Sequence, residues 1–266
     1  MPESRPAPLP DRVLITGASS GLGAAFALAC ARPGVTLFLG GRSAERLGLV
    51  ADAVREKGAE VAVAVIDVRD AAAMAGWIAG AAPLGLVLAN AGISAGTGRG
   101  AAESAAQARA IFATNLDGVL NTAFPAAEAM RRQAAGADGV RGRIGVVASI
   151  AAFVPAPGAP SYCAAKAAID CWAVATAPLW RREGVVLSSL CPGYVKTPMT
   201  AGNRFPMPGL MEADRAAARM LKGMLGNRER VAFPWWLAAA ARLVGLLPAP
   251  VATTLLGSAE GKAPSA

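Results

Sequence analysis

The chain has 266 residues, 54% of them hydrophobic, with 26 basic and 18 acidic side chains for a net charge of +8, and it contains no histidine. That length and apolar content suit one domain with a sheet buried between two helix layers. The lack of histidine excludes a Ser-His-Asp triad and any histidine-ligated metal site. Cys30, Cys163, Cys171 and Cys191 stand singly, with neither metal-ligand nor disulfide spacing, as expected of reduced thiols in a cytoplasmic protein.

Taken in chain order, residues 1–10 are proline-rich without an apolar core, so they are predicted to be a frayed tail rather than a signal peptide. Apolar runs predict strands at 13–16, 35–39, 61–66, 84–89, 144–148, 185–190 and 230–233. Helices are predicted near 21–32, 43–58, 70–80, 103–134 and 161–183. Continuous apolar strands alternating with helices imply an α/β domain: a Rossmann-type, doubly wound parallel sheet of about seven strands with helices on both faces. Right-handed crossovers then place a ligand crevice at the carboxyl ends of the strands.

The first predicted strand runs into Gly17-Ala18-Ser19-Ser20-Gly21-Leu22-Gly23 and then a helix. Gly17 suits a tight turn, Gly21 the close approach of backbone to a pyrophosphate, and Gly23 close helix packing. The helix start behind them offers free N–H groups and a favourable dipole to phosphate. A second set lies downstream. Tyr162 and Lys166 are four residues apart, on one helix face, with Ser149 thirteen residues upstream. A phenol titrates near about 10, and a neighbouring ammonium is expected to draw that value down towards neutrality. Ser149, from another segment, could hold a carbonyl oxygen for the phenolic proton.

These motifs together resemble the short-chain dehydrogenase/reductase family from about residue 11 to 199. Thr16 to Gly23 matches the family's cofactor loop, Asn90-Ala91-Gly92 the motif after the fourth strand, and Asn115 the helix asparagine. Ser149, Tyr162 and Lys166 match the catalytic trio, and Pro192-Gly193 with Val195 and Thr197 the segment over the nicotinamide. Ala89 departs from the asparagine many members carry there, outside the catalytic set. The resemblance implies an NAD(P)(H)-dependent oxidoreductase interconverting a carbonyl and a secondary alcohol. Tyr162 would pass the proton, Ser149 would bind the oxygen, and Lys166 would lower the tyrosine pKa and hold the ribose. Asn115 would hold a water of the proton relay, and Asp67-Val68 would contact adenine. It also implies a homodimer or homotetramer built on the two long helices. The alternative is a non-catalytic nucleotide-sensing or scaffold protein on the same fold.

After the second strand, where NAD-preferring members of the family usually carry an acidic residue, the chain reads Gly41-Arg42-Ser43. Arg42 suits a 2′-phosphate, helped by the Ser43 hydroxyl, so NADP(H) is expected over NAD(H). Segment 198–211, with three methionines, reads as an adaptable apolar lid for a bulky or apolar substrate within a catalytic domain of 11–233. The extension 234–266 is strongly apolar. From 203 to 242 there are seven basic residues (Arg204, Arg215, Arg219, Lys222, Arg228, Arg230, Arg242) against three acidic ones (Glu212, Asp214, Glu229). Packing on the core or a second subunit is favoured for this tail, with peripheral membrane contact as the alternative. No motif accompanies the charge to suggest nucleic acid.

Overall fold

The computed structural model describes residues 7–97, 102–203 and 205–257. Seven parallel strands form one sheet: β1 (Arg12–Thr16), β2 (Thr36–Gly41), β3 (Glu60–Val65), β4 (Leu86–Ala89), β5 (Gly142–Val147), β6 (Val185–Pro192) and, late in the chain, a strand at Arg230–Phe233. A two-residue pair, β7 (Val195–Lys196) with β8 (Met211–Glu212), stands apart, so the Arg230–Phe233 strand is β9. The sheet order is β3-β2-β1-β4-β5-β6-β9. The order reverses between β1 and β4, and that switch point opens a crevice at the strands' carboxyl ends.

The central strands β1, β4, β5 and β6 are buried almost along their whole length because both of their faces are covered, whereas the edge strand β3 is largely exposed. Val13 and Ile15 of β1 pack in one core with Phe26, Leu47 and Met220, whereas Leu14 between them joins the opposite core with Ile78, Ala123 and Ile169. The first core lies under α1 (Gly21–Cys30), α2 (Ala44–Arg55) and the later helix Ala213–Leu225. The second lies under α3 (Ala71–Ala81), the helix Gly118–Arg132 and the long helix Pro160–Arg182.

Element ends differ from the predicted ones by one to three residues, as fraying ends do. Three differences go further. The single helix expected over 103–134 is three pieces: α4 (Ala105–Phe112), a π-helical segment Ala113–Asp117, and α5 (Gly118–Arg132). The widened turn carries Asn115, whose amide bonds both the N–H and the C=O of Ile93 at 2.8 Å, so the side chain has a partner off the helix. Residues 7–10 are not a frayed tail: Leu9 is buried, Ala7 N donates to Leu225 O at 3.0 Å, and Arg32 holds Leu9 O. One leucine among the prolines suffices to anchor them; residues 1–6 lie outside the described residues. The third difference lies beyond β6, where helices form that the pattern did not announce: α7 (Pro198–Ala201), α8 (Ala213–Leu225), α9 (Trp235–Gly245) and α10 (Ala249–Gly257). With these, the long helix Pro160–Arg182 is α6.

α9 packs through Ala238 and Ala241 onto the 3-10 turn Ile150–Phe153, and Arg242 lies 4.1 Å over the Phe153 ring. Its other side leaves Trp235, Leu243 and Leu246 exposed. Among the described residues no helix is long and apolar enough to cross a membrane.

Candidate active site

The crevice at the switch point gathers residues from the ends of six strands. Gly17, Ser19, Ser20, Gly21 and Leu22 follow β1; Arg42 follows β2; Asp67 and Val68 follow β3; Asn90, Ala91 and Gly92 follow β4; Ser149 follows β5; Pro192 closes β6, with Gly193, Val195 and Thr197 beyond it. Tyr162 and Lys166 reach in from α6. Gly23, Asn115 and Ser43 do not line it.

The glycine turn is packed to the limit. Gly17 has φ +64 and Gly21 φ +55, a backbone region that side chains disfavour. A methyl group added at Gly17 would lie 2.7 Å from Ala91 Cα, and one at Gly23 only 2.3 Å from the Gly17 carbonyl oxygen. Asn90 fastens the turn by donating to the carbonyls of Thr16 and Gly17. Ser20 makes no side-chain cap on α1 and no acidic residue sits in its first turn, so the helix start presents uncapped N–H groups to the crevice. A bare N-terminus over a glycine cradle fits the pyrophosphate of a dinucleotide.

At the β2 end Arg42 faces the crevice, but Ser43 does not: its Oγ accepts from Arg46 N at 3.4 Å and caps α2. The second group there is Arg46, in the first turn of that helix. Pattern reading passed over it because it stands on the helix rather than in the loop. Asp67 is bound through both oxygens by Arg69, with contacts of 2.6–3.0 Å. That hydrogen bonding, with further attraction from Arg42, holds its carboxyl below the usual range. Ile66, Ile93 and Thr114 also line the crevice. They carry no charge or glycine signal and become site residues only by position.

At the other end Ser149, Tyr162 and Lys166 converge. Ser149 Oγ accepts from Ala151 N at 3.1 Å, reaches Pro192 O at 3.4 Å, and hydrogen-bonds Tyr162. Lys166 is buried and donates to Val147 O at 2.7 Å, with Nζ 5.7 Å from the Tyr162 ring centre. The expected lowering of the phenol pKa by Lys166 is not what this site shows. Burial pushes Tyr162 up to about 12, with the Ser149 hydrogen bond pulling the other way. Burial likewise brings Lys166 down to about 8. Desolvation is the leading cause for both groups, and the ammonium makes its short contact to the Val147 carbonyl rather than to the phenol.

Asn115 sits fully buried beside them. A methyl group on Gly92 would meet Asn115 Oδ1 at 3.2 Å and Lys166 Nζ at 3.7 Å, so the three are in mutual reach. No cluster of metal-ligating side chains occurs among the described residues.

The same architecture recurs in known proteins. The family profile described as short chain dehydrogenase matches residues 11–206. An uncharacterized oxidoreductase of Myxococcus xanthus is 36% identical over 242 residues, covering 90% of this chain and 93% of that protein. A short-chain dehydrogenase/reductase of Burkholderia phymatum solved with NAD superposes with a TM-score of 0.77 at 25% identity, over 88% of this chain and 93% of its own. One from Sphingobium yanoikuyae solved with NADPH gives 0.73 at 25% identity, over 89% and 95%. With the glycine turn, the switch-point crevice and the profile match spanning one and the same stretch, the chain belongs to the short-chain dehydrogenase/reductase family of oxidoreductases.

Proposed function

We propose that the protein is an NADP(H)-dependent carbonyl reductase acting on a bulky, apolar ketone, with Tyr162 as proton donor. The observation that carries the reading is the crevice itself. It has two guanidinium groups, Arg42 and Arg46, at one end and Ser149, Tyr162 and Lys166 at the other. A bound nicotinamide would supply the hydride, and everything else falls to the chain. Arg42 and Arg46 would grip a 2′-phosphate, which a carboxylate at the same place would repel. Ser149 would hold the substrate oxygen, and Tyr162 Oη would give it a proton. Lys166 would steady the resulting phenolate and hold ribose hydroxyls, with Asn115 keeping a relay water in reach. With its pKa pushed up by burial, Tyr162 keeps its proton at physiological pH until the substrate takes it.

An apolar substrate is supported by the lid. Met199 projects into the crevice 40% exposed, Leu210 is exposed, and Trp236 of α9 abuts Gly209. Residues 198–211 thus act as lid on a domain of 11–233, and 234–266 as its extension; Arg204 and residues 258–266 lie outside the described residues. Assembly as a homodimer or homotetramer is supported by an aromatic cluster on α5 and α6. Phe124, Trp172 and Trp180 sit 5.5–5.6 Å apart, with Phe124 and Leu179 exposed beside them. A cytoplasmic setting is supported by four free cysteines.

NADPH and NADH oxidation should be followed by absorbance against a panel of aliphatic, cyclic and aromatic ketones. Turnover with NADPH and little with NADH is expected. Preference for NADH would reject the cofactor assignment, and cofactor binding without turnover of any ketone would favour a nucleotide sensor. Deleting residues 234–266 should alter stability or oligomeric state; a truncated protein that stays folded but stops sedimenting with anionic vesicles would instead assign the tail to a membrane surface.

A further inference from the structure

The helix that carries Tyr162 starts without a cap of its own. The residue before α6 is Ala159, whose side chain can accept nothing, and Pro160 follows with no N–H. The first free donor is Ser161 N, one residue before Tyr162. A residue from a different part of the chain takes it. Glu103, in the loop before α4, accepts from Ser161 N at 3.2 Å through Oε2 and from the Ser161 hydroxyl through the same oxygen. Its other oxygen accepts Gln107 Nε2 at 3.0 Å, and that amide also donates to Gly96 O at 3.2 Å.

A ring of contacts results. Asn115 holds Ile93, Gln107 holds Gly96, Thr97 N donates to Gly158 O at 3.1 Å, and Glu103 closes on Ser161. The strand-end loop 93–97 and the start of the catalytic helix are tied at two points, and the carboxylate also meets the positive end of the α6 dipole.

We propose that Glu103 is a positioning residue for Tyr162, a cap supplied from another element that fixes the first turn of α6 and with it the direction of the phenol. The inference rests on the reading of Tyr162 as proton donor. Glu103 touches none of the reacting groups and is not a crevice residue. Its hydrogen bonds to Ser161 do the work. A neutral amide that offers its one oxygen to Ser161 should therefore still serve the first turn of α6, although its nitrogen would face Gln107 Nε2 and release that contact.

The chain has only two tyrosines, Tyr162 and Tyr194. The full-length protein labelled with 3-fluorotyrosine should thus give two fluorine resonances, assigned with Tyr194→Phe. In Glu103→Ala the Tyr162 resonance should move towards that of free fluorotyrosine while the Tyr194 resonance stays. In Glu103→Gln both should stay. Turnover of the best ketone should fall about fivefold in Glu103→Ala, the equivalent of one lost cap. NADPH affinity should not change, and Glu103→Gln should restore turnover. An unmoved Tyr162 resonance with kcat within twofold of wild type would overturn the proposal, as would a Glu103→Gln variant no better than Glu103→Ala. Should Glu103→Ala not fold, Glu103→Asp, one methylene too short to reach Ser161 N, takes its place and must shift the same resonance. Full activity in Tyr162→Phe would sink the proton-donor reading alone, since the fluorine spectra test the cap without any turnover.

Discussion

The two ends of the chain solve their tasks with opposite packing. Around the glycine turn there is no slack: Gly17, Gly23 and Asn90 touch at contact limits, and β1 is buried along Val13, Leu14 and Ile15. Beyond Phe233 the chain is loosely laid. α9 inserts only Ala238 and Ala241, while Trp235, Leu243 and Leu246 face outwards 67–81% exposed. On the proposed function, the difference follows from what each end would meet. A phosphate bound by backbone N–H groups tolerates no displacement, whereas an apolar substrate is held by area and accepts an adaptable wall.

The largest expected effect lies where the two regions meet. Tyr162→Phe removes one oxygen and should lower kcat by about 10²–10⁴-fold, the usual worth of a positioned acid, with NADPH affinity unchanged by fluorescence titration. Activity above a tenth of wild type would mean that proton delivery does not depend on Tyr162. Next comes the rigid end. Arg42→Asp should weaken NADPH about ten- to a hundredfold through loss of a charge-assisted contact while sparing NADH. An equal loss for both cofactors would show that Arg42 merely supports the loop.

The third test is pH. Lys166 is brought down from 10.5 to about 8 by burial, so its ammonium is lost as the pH rises through about 8. Reduction should then slow above that pH, because the phenolate left by proton transfer loses its counter-ion. Stability should move the opposite way. Between about 8 and 10.5 the unfolded chain holds a proton on this amine that the folded chain does not, so the Lys166 contribution makes the fold more stable as the pH rises across that window. A rate flat to pH 10 in ligand-saturated enzyme would show that the lysine stays charged in the complex.

The smallest effects should separate the faces of the loose end. Ala238→Leu, on the packed face, should cost about 1–3 kcal/mol by overfilling the seam against the 150–153 turn. Leu246→Ser, on the open face, should stay within about 0.5 kcal/mol by denaturant melting. A large cost at Leu246 would mean that this face is covered in solution, and its concentration dependence would report a second copy.

Much of this was readable in order along the chain. The central strands were visible because strands buried on both faces are nearly continuous apolar runs; β3 was visible as an apolar run even though it lies largely exposed at the sheet edge. The glycine turn was visible because no other residue tolerates φ +64 at Gly17 or the 2.3 Å clearance at Gly23. Arg46 was not, since a basic residue in a first helical turn looks like any solvated arginine until α2 is seen to point it at the crevice. Helices α8 and α9 were hidden as well. In α9 burial is carried by alanines, Ala238 and Ala241, which weigh little in an apolar pattern; in α8 Met220 and Met224 are buried beside Ala216 and Ala217, but Arg219 and Lys222 between them interrupt the apolar run.

The amino-acid sequence by itself determined the sheet, the cradle and the cast of reactive side chains, because each depends on local residue type and short spacing. Tertiary structure decided three things that spacing cannot carry. It broke the expected long helix at Asn115, since the widened turn is stabilised by a partner, Ile93, twenty-two residues earlier. It set the proton affinities of Tyr162 and Lys166 by burial, reversing the direction that charge proximity alone suggested for the phenol. And it brought Glu103 to the uncapped start of α6, fifty-eight residues away in the chain, where only the packing of two loops makes a carboxylate and a helix end neighbours.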